Sequence, residues 1–447
     1  MIFEFLSLFY KKNLKKVWCF KNLAVILLRN GFNSKIIVKI ISQYFYCQII
    51  KIKIVSKEWK NCDLPDGSVA TGSKFYYRNN IVEEIWKKLE RGSVLLAAPR
   101  RVGKTSVMQY MAANPIENYK VIFQNIQGIN SADKFYERIY TLLLNCLNTT
   151  KKAQKWVENL YKTKSIKCFS VTGSIEFENK PTDFSKETKT LLAEINNNEE
   201  LENIVLLLDE LPEVLFNINK TNNSDAISIL KFLRHWRQQP ELHKKVKFVL
   251  AGSVGIHYVV EQIEIRNSDL NDLEEVVFEP LLDSETHEYI DWATKGATIT
   301  YNQKLKKHLL GKIKYFAPYF INLLLNEVDK QAKKANNPKI TSQNIDAAFD
   351  TIVKNNKYFE YWKKRLRDYM PKEDFDFVNE ILIHTAHNEH ISEQEIYDKA
   401  VKYNKTADYM EFINELAKDG YITELESKYY FISPFLSAFW KRNNPIY

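Results

Sequence analysis

Gly103, Lys104 and Thr105 are the residues best equipped for chemistry. They close the stretch Ser93-Val-Leu-Leu-Ala-Ala-Pro-Arg-Arg-Val-Gly-Lys-Thr-Ser106, in which an aliphatic run leads into a short loop. The spacing fits the phosphate-loop pattern G-x-x-x-x-G-K-S/T, with Ala98 in the place of the first glycine. Backbone N–H groups from Arg101, Val102, Gly103, Lys104, Thr105 and Ser106 would curl around a β-phosphate, helped by the N-terminus of the helix that follows. Lys104 would reach the β and γ phosphates, and the Thr105 hydroxyl would help hold Mg²⁺, a hard cation that takes oxygen ligands. A side chain at position 103 is expected to collide with the phosphate, and Ala98 is tolerable where its backbone does not need φ > 0.

A second set of acids stands about a hundred residues further on, in Ile204-Val-Leu-Leu-Leu-Asp209-Glu210. Five uninterrupted aliphatic residues suit a parallel strand buried on both faces, and open α/β sheets place their ligand chemistry at the carboxyl ends of such strands. Asp209 would bind Mg²⁺ through its water shell, and Glu210 would orient and polarise an attacking water. A third strand, Val246-Lys-Phe-Val-Leu-Ala-Gly252-Ser253, ends in a small polar residue, so Ser253 is a candidate to hydrogen-bond the γ-phosphate or the water. Arg234 and Arg237, on an expected helix from Ser224 to Gln239, have the charge to stabilise phosphate, but an ion-paired helix face explains either one as well.

The elements that must position these residues alternate. A helix from Asn79 to Leu89 precedes the loop strand, a helix from Gly103 to Ala112 follows it, and Tyr119 to Gln124 reads as the next strand. Such alternation predicts an α/β fold, a parallel sheet with helices on both faces. Residues 131 to 200 are helical by periodicity, interrupted at Lys167 to Pro181 by a short hairpin or loop.

Ala98-Pro-Arg-Arg-Val-Gly-Lys-Thr-Ser106, Leu208-Asp-Glu-Leu-Pro212 and Ala251-Gly-Ser-Val-Gly255 occur in that order, with Phe278-Glu-Pro-Leu-Leu282 just beyond. Over roughly residues 63 to 447 the chain thereby resembles the AAA+-like P-loop ATPases of the STAND group, particularly the prokaryotic and archaeal ATPase families. The resemblance implies that Lys104 and Thr105 act as Walker A residues, Asp209 and Glu210 as Walker B, and Ser253 in the first sensor position, with ATP and Mg²⁺ as cofactors. No second-sensor arginine stands out after Pro318.

Residues 283 to 370 read as helices and predict a lid over the nucleotide, following an ATPase core at 59 to 282. Asn356 to Met370 gathers Lys363, Lys364, Arg365 and Arg367 with Phe359, Tyr361 and Trp362, the pattern of a linker helix packed by its aromatics. Residues 371 to 447, three helices followed by two strands, suggest a winged helix. His384, His387 and His390 recur at three-residue intervals, along one face if the helix holds them all, and solvated histidines explain them better than a metal site.

Charge narrows the partners. The 447 residues carry a formal net charge of +9, and ten Lys or Arg against Glu4 alone in residues 1 to 55 account for all of it. The remaining body is neutral and the last segment is acidic, with fourteen Asp or Glu against eight Lys or Arg from residue 371 onward. Nucleic-acid binding by phosphate neutralisation requires the opposite sign, so a protein partner or self-association fits better. Residues 1 to 58 form a basic apolar leader, read either as an amphipathic anchor on an anionic membrane surface or as sequence upstream of the true start, the second being favoured. An apolar content of 45%, a mean hydropathy of -0.37 and five scattered cysteines without a C-x-x-C pair describe a globular protein of a reducing cytoplasm.

Overall fold

The computed structural model describes residues 58–76, 78–97, 99–147, 166–169, 175–177, 183–252, 255–264 and 270–446. The chain divides into two units, residues 1 to 60 and residues 61 to 447, and every element below lies in the second.

Five parallel strands form the central sheet: β1 (Val94–Ala97), β2 (Tyr119–Asn125), β5 (Asn203–Asp209), β6 (Val246–Ala251) and β7 (Glu274–Val277). Their order is β2-β5-β6-β1-β7, so β6 separates the loop strand β1 from the acidic strand β5. From Ile204 through Asp209 every residue of β5 is buried, as its aliphatic run requires of a strand covered on both faces. β7 escapes the sequence pattern because it is a short edge strand whose side chains are acidic at Glu274 and Glu275 and half-open to solvent. An antiparallel hairpin, β3 (Ile166–Phe169) with β4 (Ile175–Phe177), answers the expected interruption after residue 166.

Helices α1 (Asn79–Arg91), α2 (Lys104–Ala113), α3 (Ala132–Leu147), α4 (Phe184–Asn197), α5 (Leu211–Thr221), α6 (Asn223–Gln238), α7 (Pro240–His243) and α8 (Ile256–Glu264) flank the sheet. One continuous core joins Phe135, Ile139, Leu206, Leu208, Leu233, Trp236 and Phe248. Within it the Trp236 indole N–H donates to the Val246 carbonyl at 3.1 Å, so the largest side chain of α6 buries no orphan donor.

A helical region follows: α9 (Asp283–Ala293), α10 (Gln303–Ile313), α11 (Pro318–Ala335), α12 (Ser342–Lys354) and α13 (Glu360–Tyr369). Pro318 stands at the start of α11, where the missing N–H costs nothing, and Thr341 caps α12 reciprocally with Asn344. The chain closes with α14 (Lys372–Asn388), β8 (His390–Ser392), α15 (Glu393–Tyr403), α16 (Tyr409–Lys418), β9 (Ile422–Leu425), β10 (Lys428–Phe431) and α17 (Pro434–Asn443). Their three strands form an antiparallel sheet in the order β8-β10-β9. Glu389, at φ +68, ends α14 and sends His390 into β8, so the three histidines do not share a helical face. His384 faces Glu395 and His387 meets the Asn444 carbonyl, and no metal-holding cluster occurs among the described residues. None of the described helices is long and apolar enough to cross a membrane.

Candidate functional site

The aliphatic strand β1 delivers the loop to the carboxyl end of the sheet. Gly103 turns it into α2 with φ +106, a conformation that L side chains avoid. A Cβ added there meets no protein atom within 4 Å, so within the protein it is φ, rather than crowding, that requires glycine. Arg101 also has positive φ, at +65. Val102 is buried, and the buried Ser106 hydroxyl accepts the Ala70 N–H at 3.0 Å, which ties the loop to the segment before α1. Lys104 opens α2, and its Nζ donates to the Pro99 carbonyl at 3.0 Å, holding the ammonium across the mouth of the loop. Burial pushes its pKa down to about 8, reinforced by Arg365 and opposed by Glu210, Asp209 and Asp419.

Thr105 and Asp209 meet directly: the hydroxyl donates to Oδ2 at 2.7 Å across a separation of 104 residues. Asp209 is 2% exposed, and burial raises its pKa against the opposing pull of the Thr105 hydrogen bond. Glu210 follows in the left-handed region, φ +67 and ψ 31, at the position just before α5. This abrupt turn off a buried strand leaves Glu210 lining the same cavity as Lys104, Thr105 and Asp209. The neighbouring strand end is pressed against it, since a Cβ on Gly252 would lie 2.3 Å from Pro212 Cδ.

The cavity holds about 410 Å³ and extends from the loop toward an aromatic wall of Phe75, Tyr76, Phe278, Tyr289 and Tyr319. Arg101 stacks 4.7 Å over Tyr319 and donates to the Gly67 carbonyl at 3.1 Å. Arg78 donates to the carbonyls of Glu279 and Pro280 at 2.7 and 3.3 Å and lies 5.1 Å over Phe278, clamping the segment where the helical region begins. Arg100 stacks 4.5 Å over Tyr361 and 5.7 Å over Trp362 on α13, and burial, with the like charge of Arg365, lowers its pKa to about 10.

The structure thus brings together Lys104, Thr105, Asp209 and Glu210. Ser253 lies outside the described residues, as does Ala98. Arg237 is spent elsewhere: its Nε and Nη2 bind Asp272 at 2.9 and 2.7 Å, so the ion-paired reading of that helix holds for it. Sequence reasoning missed the aromatic wall, because its members come from four separate segments with no shared spacing. It also missed the inward turn of Arg365, which is 4% exposed although it sits in a run of basic residues.

The residues present fit a nucleotide and its metal. Thr105 and Asp209 offer adjacent oxygen donors of the kind a small hard cation takes. Arg100 Nη1 and Arg101 Nε are buried without a hydrogen-bond partner, an arrangement that suits an anion.

Sheet order, loop and acidic strand end together define the α/β fold of a P-loop nucleotide-binding domain. Among solved structures the chain is similar to the Walker-type ATPase of Pyrococcus abyssi, with 15% identity over 85% of this chain and 99% of that one and a TM-score of 0.57. It is also similar to the ORC2 protein of Aeropyrum pernix, at 12% identity over 84% and 93% of the two chains and a TM-score of 0.48. A STAND protein with a tetratricopeptide repeat sensor from Pyrococcus horikoshii aligns at 14% identity over 87% of this chain and 45% of that one, with a TM-score of 0.34. The fold assignment rests on the first of these. No protein-family model matches the chain, and no curated protein matches it by sequence.

Proposed function

We propose that the protein is a Mg²⁺-dependent ATPase working as a nucleotide-controlled switch. The hydrogen bond from Thr105 to Asp209 carries this reading, because it joins the two halves of a phosphate site that lie far apart in sequence. The phosphates would lie on the N–H groups from Arg101 to Ser106, with Lys104 against the β and γ groups and the base among the aromatics of the cavity. Thr105 and Asp209 would hold Mg²⁺, which supplies charge neutralisation on the phosphate oxygens. Glu210, at the turn off β5, would orient the attacking water in line with the γ-phosphate. The helices from residue 283 to 370 would act as a lid, and the segment from residue 371 as a winged helix.

A DNA-reading role for that winged helix is disfavoured by how α16 is used. The helix lays its end against the core, with Glu415 Oε2 and, just beyond it, Asp419 Oδ1 at Gly255, so these two carboxylates face protein. A protein partner or self-association is the better reading for the switch's output.

Two variants test the proposal. Lys104→Ala is expected to lose ATP binding, whereas Glu210→Gln keeps binding and loses phosphate release by about a hundredfold or more. Fluorescent-nucleotide titration and a phosphate-release assay with Mg²⁺ read the two. Equal, background-level phosphate release from wild type and Glu210→Gln, with ATP bound by both, would leave a nucleotide-binding scaffold and sink the enzymatic reading.

A further inference from the structure

The phosphate loop carries two consecutive arginines, and the fold sends their guanidinium groups to different places. Arg101 turns toward the segment before α1, where the Gly67 carbonyl accepts its Nη1 and the Tyr319 ring lies against it. Arg100 turns toward α13, where it lies over Tyr361 and Trp362. Both arginines, and Tyr361 with them, line the nucleotide cavity.

Arg100 is 8% exposed, and its Nη1 is buried without a hydrogen-bond partner among the described residues. Aromatic rings engage a guanidinium through its face, which leaves the in-plane N–H groups available. A buried cation with a spare in-plane donor on a cavity wall suits an oxyanion, because the donor is otherwise left unpaired.

The order of the loop says which part of a nucleotide that donor would meet. Lys104 Nζ, the group expected at the β and γ phosphates, rests on the carbonyl of Pro99, the residue just before Arg100. The N–H groups expected around the inner phosphates begin only at Arg101. Arg100 thus leaves the loop at the lysine's end, while Arg101 is tied to the segment carrying Gly67.

We infer that Arg100 is the residue that tells a nucleoside triphosphate from a diphosphate: its free donor bonds oxygens of the terminal phosphate, and a diphosphate offers it no oxygen within reach. This deepens the nucleotide reading above and rests on it. Tyr361 and Trp362 act as positioning residues, since they fix a long side chain before the ligand arrives and so reduce the entropy lost on binding.

Titration of the full chain with fluorescent ATP and ADP analogues in Mg²⁺ tests this. Arg100→Ala is expected to weaken ATP roughly tenfold to a hundredfold, the loss that goes with a hydrogen bond to a charged group, and to leave ADP little changed. Arg101→Ala should weaken ATP and ADP alike. ADP binding reports in each variant whether the loop is intact. Should Arg100→Ala lose both nucleotides, Arg100→Gln, which keeps most of the packed stem, decides the matter: a selective loss of ATP there upholds the assignment, and equal losses reduce Arg100 to a clamp between the loop and α13. Unchanged ATP affinity in Arg100→Ala, or a loss selective for ATP in Arg101→Ala alone, also overturns the assignment while leaving the nucleotide site in place. Failure of wild type to bind either nucleotide would instead remove the nucleotide reading itself.

Discussion

Glu210, the carboxylate proposed to orient the attacking water, sits on a demanding backbone. At φ +67 a side-chain-bearing residue stores on the order of 1 kcal/mol or more of strain, and the surrounding core of α5 and β5 has to hold it there. Such strain is what one expects where a carboxylate must be aimed and not merely placed. Glu415 shows the opposite economy, a carboxyl buried for contact: burial, helped by Asp419 and Glu261 and opposed by Lys418, pushes its pKa up to about 7, with the Tyr258 ring on the same cavity. Between the ordinary carboxylate range and about 7 the folded protein binds more protons at this site than the unfolded chain, so stability falls as pH rises through that window. Glu415→Gln keeps the neutral form. Its Tm should equal that of wild type near pH 5 and exceed it by about 3 °C near pH 8, a comparison that differential scanning calorimetry makes directly. A Tm difference independent of pH would show that Glu415 is not held this way.

At the scale of elements, three strand ends converge because β6 lies between β1 and β5. The convergence is tight enough to forbid a methyl group: on Gly252 it would overlap Pro212 of α5. Gly252→Ala is therefore expected to cost about 1–3 kcal/mol, read as a lowered urea midpoint with unchanged m-value. A loss of nucleotide affinity should accompany it, since α5 carries the turn at Glu210. The strands β1, β5 and β6 were legible as aliphatic runs, and α2 followed from the glycine-lysine-threonine step. β7 was not, because edge strands need no continuous apolar pattern, and α5 was not, because its start depends on an unusual φ that no local sequence rule predicts.

At the scale of the whole molecule, an aromatic seam ties the helical region to the C-terminal segment. Phe320 of α11 stacks on Phe435 of α17 with centroids 5.6 Å apart and planes 9° apart, and Phe359 flanks Phe435 at 5.8 Å. Phe435 is fully buried, so Phe435→Ala should cost about 3–5 kcal/mol. Hydrogen exchange is expected to quicken in α11 and α17 together, and loosening of α17 alone would show that the two regions are energetically separate. Such a shared core gives the end of α16 a fixed address against the loop, which a tethered domain would lack.

By itself the sequence determined the phosphate loop, the acidic strand end and the α/β alternation between them, because each is a local pattern: a glycine at a turn, a lysine and threonine opening a helix, an aliphatic run that only burial explains. Tertiary structure alone decided which basic residues face the site and which are spent elsewhere. Arg237 goes to Asp272, while Arg365, one of four basic residues in a ten-residue helix, turns inward with its donors unused. It also decided that Gly420, far from the phosphate loop in sequence, packs against Pro99 of that loop. Charge acts through space and pattern acts along the chain, so the second kind of residue is invisible until the chain has folded.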